Sequence, residues 1–230
     1  MFVQPAYAET DTAALHAGMR AWSFATLVTQ GARGIQSSML PFLLDSATSD
    51  AAPFGTLVTH LPRHDPLYAD LLSAAEVLVI FQGPHAFVSP SWYRHQMTFP
   101  TWNYTLIHAR GKPRVSEDED KVMQVLRRTV AHYDTPLGGS WDFEKIPMSH
   151  TGSRLRVIAT LEIPIATLTG KMKLNQDKTV EDRLGVIAAL QAQGDAQSLQ
   201  MAGLIRAQPD MREALDAFDA LEAPSLASPS

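Results

Sequence analysis

Two short stretches of this chain gather side chains able to hold an anion. THLPRH, Thr59 to His64, offers a hydroxyl, two imidazoles and a guanidinium at the end of an apolar, β-branched run. Those donors can converge on one phosphate. KMKLNQDK, Lys171 to Lys178, puts Lys171, Lys173, Asn175 and Gln176 ahead of Thr179, which caps a predicted helix from Val180 with Asp182 in its first turn. A helix N-terminus attracts anions and lysines before it strengthen the pull, so phosphate binding is a coherent reading of the second stretch. Each has a plainer alternative, a solvated polar turn for the first and solubilising lysines for the second. His60 and His64 stand at metal-ligand spacing for a helix, but Pro62 between them and the strand-like TLVT before them argue against a helix and hence against a metal site. Arg183, beside Glu181 and Asp182, reads as an ion-pair partner.

A second kind of chemistry is suggested by FQGPHAFVSPSWY, Phe81 to Tyr93, and by PTWNY, Pro100 to Tyr104. Aromatic residues in strands usually serve the core. Here Gln82, Ser89, Trp92 and Tyr93 could instead wall a pocket for a planar ligand, with rings stacking and amides reading the edge. No nucleophile with a base is evident. Ser89 lies between Val88 and Pro90 rather than in a nucleophile elbow, and no acid stands nearby in sequence to orient a histidine.

The elements that must position these residues follow from periodicity and punctuation. Thr12 to Trp22 reads as a helix, FATLVTQ as a strand, and Gly31 and Gly34 bracket a turn. IQSSMLPFLLD, TLVTHLP, EVLVIFQG, AFVSPSWY and NYTLIHARGKPRV follow as closely spaced strand candidates, with Pro66 to Ala75 a helix between two of them. So few intervening helices favour an antiparallel barrel over a parallel α/β sheet. SEDEDKVMQVLRRTVAHY, capped by Ser116, is an amphipathic helix, and LRVIATLEIPIATLTGKMKL a last strand pair or one long bent strand marked by Pro164. Thr179 to Gln191 and Ser198 to Arg206 are helices either side of Gly194. The expected organisation is a barrel domain over 1–177, a helical extension over 178–222 and a disordered tail over 223–230.

Composition sets outer bounds. The chain has 230 residues, 45% hydrophobic, no cysteine and a formal net charge of -5. That rules out thiolate catalysis, disulfides and a thiolate-ligated zinc or iron site, and argues against a surface that grips nucleic acid throughout. No basic segment followed by an apolar run opens the chain and no stretch approaches membrane-spanning length. The expectation is a soluble, cytoplasmic protein.

Together MFVQPAYAETD, PFLLD, FQGPHAFVSPSWY, PTWNY and KLNQDKTVEDRLGVI resemble the PaiB-type FMN-binding negative transcriptional regulators, within the FMN-binding split-barrel group. The resemblance implies an α+β fold built on a six-stranded split β-barrel with flanking helices and a C-terminal helical extension. It also implies FMN as cofactor, bound at a homodimer interface. It carries phosphate contacts to Thr59, His60, Arg63 and His64, lays Gln82, Ser89 and Trp92 along the isoalloxazine, and brings Lys173 and Asn175 from the other subunit. Three positions depart from the family pattern: Met39 stands where a histidine is usual, and His64 and Asp65 replace a small residue and an amide.

The resemblance implies a regulator, yet Thr179 to Glu222 sets only Arg183, Arg206 and Arg212 against eight acids. Direct DNA binding is therefore disfavoured, since phosphate contacts supply most non-specific affinity. Two alternatives are a flavin-dependent oxidoreductase acting on a small molecule, with the flavin carrying the electrons, and a haem-binding or haem-degrading relative using His60, His85 or His150.

Overall fold

The computed structural model describes residues 1–142, 145–147, 152 and 154–222. Among the described residues ten strands form two sheets. The first has the order β1-β10-β7-β6-β2-β3 and the second β4-β5-β9-β8. Their ranges are β1 Ala8–Glu9, β2 Phe24–Gly31, β3 Gly34–Pro41, β4 Leu43–Asp45, β5 Thr56–Pro62, β6 Val77–Val88, β7 Thr101–Gly111, β8 Arg114–Ser116, β9 Ile158–Pro164 and β10 Thr167–Lys173. Six helices accompany them among the described residues: α1 Thr12–Ala21, α2 Pro66–Leu71, α3 Glu119–Tyr133, α4 Val180–Gln193, α5 Ala196–Arg206 and α6 Pro209–Glu222.

Two compact units partition the chain. Among the described residues one holds Glu9–Gln82 and Leu106–Gly170, the other Phe2–Ala8, Gly83–Thr105 and Lys171 to Glu222. In the first, the β2–β3 hairpin turns tightly through Gly34, whose φ of 86° suits glycine. Register pairs Thr26 with Met39 and with Ile80. Ala25, Leu27 and Thr29 alternate inward and Phe24, Thr26 and Val28 outward, because successive strand side chains face opposite sides. Gly31 is a close approach: a Cβ there would lie 2.1 Å from the Asp70 carboxylate. Arg33 pairs with that same buried carboxylate at 3.0 Å, fastening the hairpin to α2. In the second sheet β5 pairs with β4 and β9, and α3 packs Val125 onto Leu43 and Val58.

In the second unit the helices bury one apolar cluster with strand residues. Val186, Ile187, Leu190, Met201 and Ile205 pack with Ala86, Val88, Tyr93 and Leu174. Each buried Val, Leu, Ile or Met side chain among them contributes about 1.5–3 kcal/mol.

Several boundaries differ from expectation. EVLVIFQG and AFVSPSWY are not two strands; β6 runs unbroken through Gly83 and Pro84, and the Pro84 carbonyl accepts from the Thr105 hydroxyl at 3.3 Å. Ser116 lies in β8, and Asp118 caps α3, its carboxylate accepting from the Lys121 N–H at 3.0 Å. The helix expected to Ala75 stops at Leu71. β9 and β10 belong to different sheets, so LRVIATLEIPIATLTGKMKL is not a hairpin. The helix expected from Ser198 begins at Ala196 under an Asp195 cap, and α6 is a helix that the sequence reading did not name. Residues 223–230, expected to be a disordered tail, lie outside the described residues.

Candidate cofactor site

In the first unit, β5 ends in the predicted anion donors, but not all are free. Thr59 is buried and its hydroxyl donates to the Pro41 carbonyl at 2.6 Å. That bond is local glue between the β3 end and β5. His60 is half-buried with Nδ1 enclosed and unpartnered among the described residues, and burial holds its pKa below the ordinary imidazole range. It is therefore a neutral ring near neutral pH rather than a cation. Arg63 and His64 are exposed in the turn that follows. The Arg63 guanidinium meets the Glu117 carboxylate at 2.6 Å and donates to the Arg156 carbonyl at 2.9 Å. Tyr68 donates to the other oxygen of Glu117, and this hydrogen bond, ahead of burial, raises the tyrosine's pKa. Gln82 is exposed on the outward side of β6.

The two departures beside Arg63 have structural accounts. Asp65 caps α2, accepting from the Leu67 N–H at 2.8 Å, a task that asparagine performs equally well. His64 sits in the exposed turn before it, where side-chain size is unconstrained. The third, Met39, is 54% exposed on the outward face of β3. It shares that face with Thr26 and Ile80 by register, and with Phe24, which is 60% exposed.

The second unit holds the other predicted residues. Ser89 caps a short 3-10 turn, accepting from the Ser91 N–H at 3.2 Å. Trp92 packs half-buried against the helical core, with its carbonyl where a Cβ on Gly185 would fall. Lys173 donates to the Thr101 hydroxyl and stands 5.9 Å above the Tyr7 ring. Asn175 is buried in the left-handed region, φ 61°, donating to the Tyr93 hydroxyl at 2.8 Å and accepting from Asn103.

Around Asn175 lies a polar network that the sequence reading missed. Tyr7 feels the Asp177 charge, and its pKa is raised by burial first and by that charge second. Asp177 pairs with Lys178 at 2.6 Å; burial opposes its charge, but the Lys178 bond prevails and lowers its pKa. Lys178 stands 5.9 Å above the Tyr93 ring. The available signal was the coincidence of motifs, since Tyr7, Tyr93, Asn103 and Asn175 come from QPAY, SPSWY, PTWNY and KLNQ.

The first unit's donors suit FMN in kind. Arg63 matches a phosphate, a neutral imidazole and the Gln82 amide match hydroxyls and a ring edge, and a strip of exposed Met39 between half-buried Thr26 and Ile80 suits a flat ring. Of the proposed haem ligands, His60 and His85 both keep an enclosed, unpartnered Nδ1, and His150 lies outside the described residues. Among the described residues no three metal-binding side chains gather, and no helix is long and apolar enough to cross a membrane.

The fold is mixed α+β and of the split-barrel type. Comparison with solved structures agrees on the fold. The flavocytochrome Anf3 from Azotobacter vinelandii superposes with a TM-score of 0.55 at 15% identity, over 72% of this chain and 69% of its own. The FAD and heme binding protein from Mycobacterium smegmatis gives 0.50 at 16% identity, over 80% of each chain. The chain belongs to the family described as "Putative FMN-binding domain", whose model matches residues 1–167, and FMN is its cofactor. It is 32% identical over 149 residues to "Protease synthase and sporulation protein PAI 2" of Bacillus subtilis, covering 64% of this chain and 70% of that protein. It is also 29% identical over 215 residues to an uncharacterized protein of Emericella nidulans, covering 78% and 84%. It is thus a PaiB-type FMN-binding protein.

Proposed function

We propose that FMN is held in the first unit with its phosphate at Arg63 and His64 and its ring toward Gln82 and the outward faces of β2, β3 and β6. Thr59 shapes this end through its bond to Pro41, and His60 offers a neutral ring nitrogen. The exposed Arg63 turn is the observation that carries the reading, because it presents a guanidinium at a strand end in an otherwise acidic chain. A bound flavin supplies the electron transfer; the protein's residues bind and orient it. In the second unit Lys173 is the candidate donor toward an anionic ligand, Ser89 and Trp92 set the turn after β6, and Asn175 acts by holding Tyr93 and Asn103. The test is a visible-absorbance titration with FMN. Saturation near one flavin per chain, weakened at least tenfold in Arg63→Ala, supports the assignment; equal binding by wild type and variant refutes it.

Phe24 and Met39 are exposed on the outward strip beside half-buried Ile80, which favours a homodimer joined through it. Sedimentation of wild type against Met39→Glu tests this, and a wild type that is monomeric at high concentration refutes it.

The cellular role we infer is regulation in the cytoplasm through a partner or a small-molecule signal rather than by gripping DNA. Arg183 is buried against Asp210, which leaves Arg206 and Arg212 among Glu181, Asp195 and Glu213 on the helical segment. A salt-dependent shift of operator DNA at micromolar protein refutes the indirect route.

A further inference from the structure

A cavity of about 350 Å³ opens in the first unit, lined by Arg20 from the last turn of α1, Phe42 just before β4, Leu43 and Leu44 of β4, and Arg128, Ala131 and His132 from α3. None of these residues belongs to the candidate flavin set. The volume is at the lower end for small-molecule sites. Its lining is divided: Phe42, Leu43, Leu44 and Ala131 are apolar, whereas Arg20, Arg128 and His132 are donors and none of the seven is an acid.

The charge balance points to an anion. In a chain of net charge -5, two guanidiniums and an imidazole share one hollow. Arg128 is answered by Asp45 just outside the lining. Arg20 is exposed and has neither an ion pair nor a side-chain hydrogen bond among the described residues. One guanidinium is thus uncompensated, enough for one negative charge and not for two. A guanidinium presents paired N–H donors that match a carboxylate. The apolar half of the wall would leave a bare inorganic ion against hydrocarbon, but would cover the body of an organic acid.

The wall is held in place by its neighbours. Tyr133, next to His132, donates to the Ser23 hydroxyl at 2.8 Å, the Phe42 N–H donates to the Ser23 carbonyl at 2.8 Å, and Leu43 and Leu44 are paired with Val58 and Leu57 of β5. The hollow is framed by strand pairing and helix packing rather than by a free loop.

We propose that this cavity binds a small organic monoanion, an aryl or alkyl carboxylate, with its carboxylate on Arg20 at the mouth and its hydrocarbon against Phe42, Leu43, Leu44 and Ala131. Benzoate and octanoate serve as probes in calorimetric titrations of the full chain at low salt. Arg20→Gln and Arg20→Glu are the test variants, since an exposed, unpaired arginine can be replaced without loss of the fold. Saturable 1:1 binding of at least one probe is expected, weakened roughly tenfold in Arg20→Gln, abolished in Arg20→Glu, and stronger than binding of inorganic phosphate. FMN titrates both variants as it does wild type. Failure of both probes to saturate at millimolar concentration overturns the proposal, as does undiminished binding in Arg20→Glu. Phosphate binding as tightly as benzoate removes the organic-acid assignment, and flavin affinity that falls in parallel removes the separate site.

Discussion

Asn175→Ala tests the buried network of the second unit most directly. Asn175, Asn103 and Tyr93 are each buried to within a few per cent, at 1%, 0% and 3% exposure. The asparagine donates to the Tyr93 hydroxyl at 2.8 Å and accepts from the Asn103 amide. Truncation strands both partners away from water, at about 1–3 kcal/mol each. Alanine must also hold φ near 61°, which costs about 1 kcal/mol more than in asparagine. The sum is about 3–7 kcal/mol, a large part of the ~5–15 kcal/mol that stabilises a typical domain. Asn175→Gly loses the same hydrogen bonds but adopts the backbone freely, so it falls about 1 kcal/mol short of the alanine variant's loss. Urea unfolding followed by tryptophan fluorescence gives both values. An alanine variant destabilised by less than about 1 kcal/mol, or a glycine variant worse than alanine, refutes the reasoning.

Three further outcomes are expected. Glu117→Gln releases Arg63 from an exposed ion pair worth about 0.2–1 kcal/mol, so FMN binds up to about fivefold tighter; unchanged or weaker binding in the same absorbance titration contradicts competition at that guanidinium. The pKa of His60 is depressed in the fold, so the unfolded chain takes up the proton first and stability falls as pH drops below about 6.5. Its contribution is intact above that pH. His60→Gln should make urea stability flatter between about pH 6.5 and 5, with His108, depressed in the same sense, accounting for a remaining slope. Gly31→Ala drives a methyl into the Asp70 carboxylate and should disrupt the Arg33–Asp70 pair, lowering the thermal midpoint; Gly34→Ala, with open space around it, pays only for its positive φ and should lower it less.

Local signals decide the structure where a short-range rule acts alone. Thr179 caps α4 by accepting from the Asp182 N–H at 3.2 Å, Gly194 closes that helix in the left-handed conformation, and TLVTHLP forms β5 over Thr56–Pro62. Where two local rules competed, packing chose between them. Ser116 and Asp118 are both acceptable caps, and pairing of β8 with β9 drew the serine into a strand. Gly83 and Pro84 look like a break, yet both are buried within β6.

Residue type by itself determined the family, the apolar alternation of the strands and the presence of anion donors at the end of β5. It could not decide which donors remain available, because that depends on partners distant in sequence. Thr59 is taken by Pro41, Arg63 is balanced by Glu117 across 54 positions, and Asn175 is closed between Tyr93 and Asn103. Likewise no motif announced the hollow lined by Arg20, since its cations come from α1 and α3 and most of its apolar lining from Phe42 and β4. A hydrogen bond or an ion pair is a short-range contact in space, and only the folded chain brings such residues within its reach.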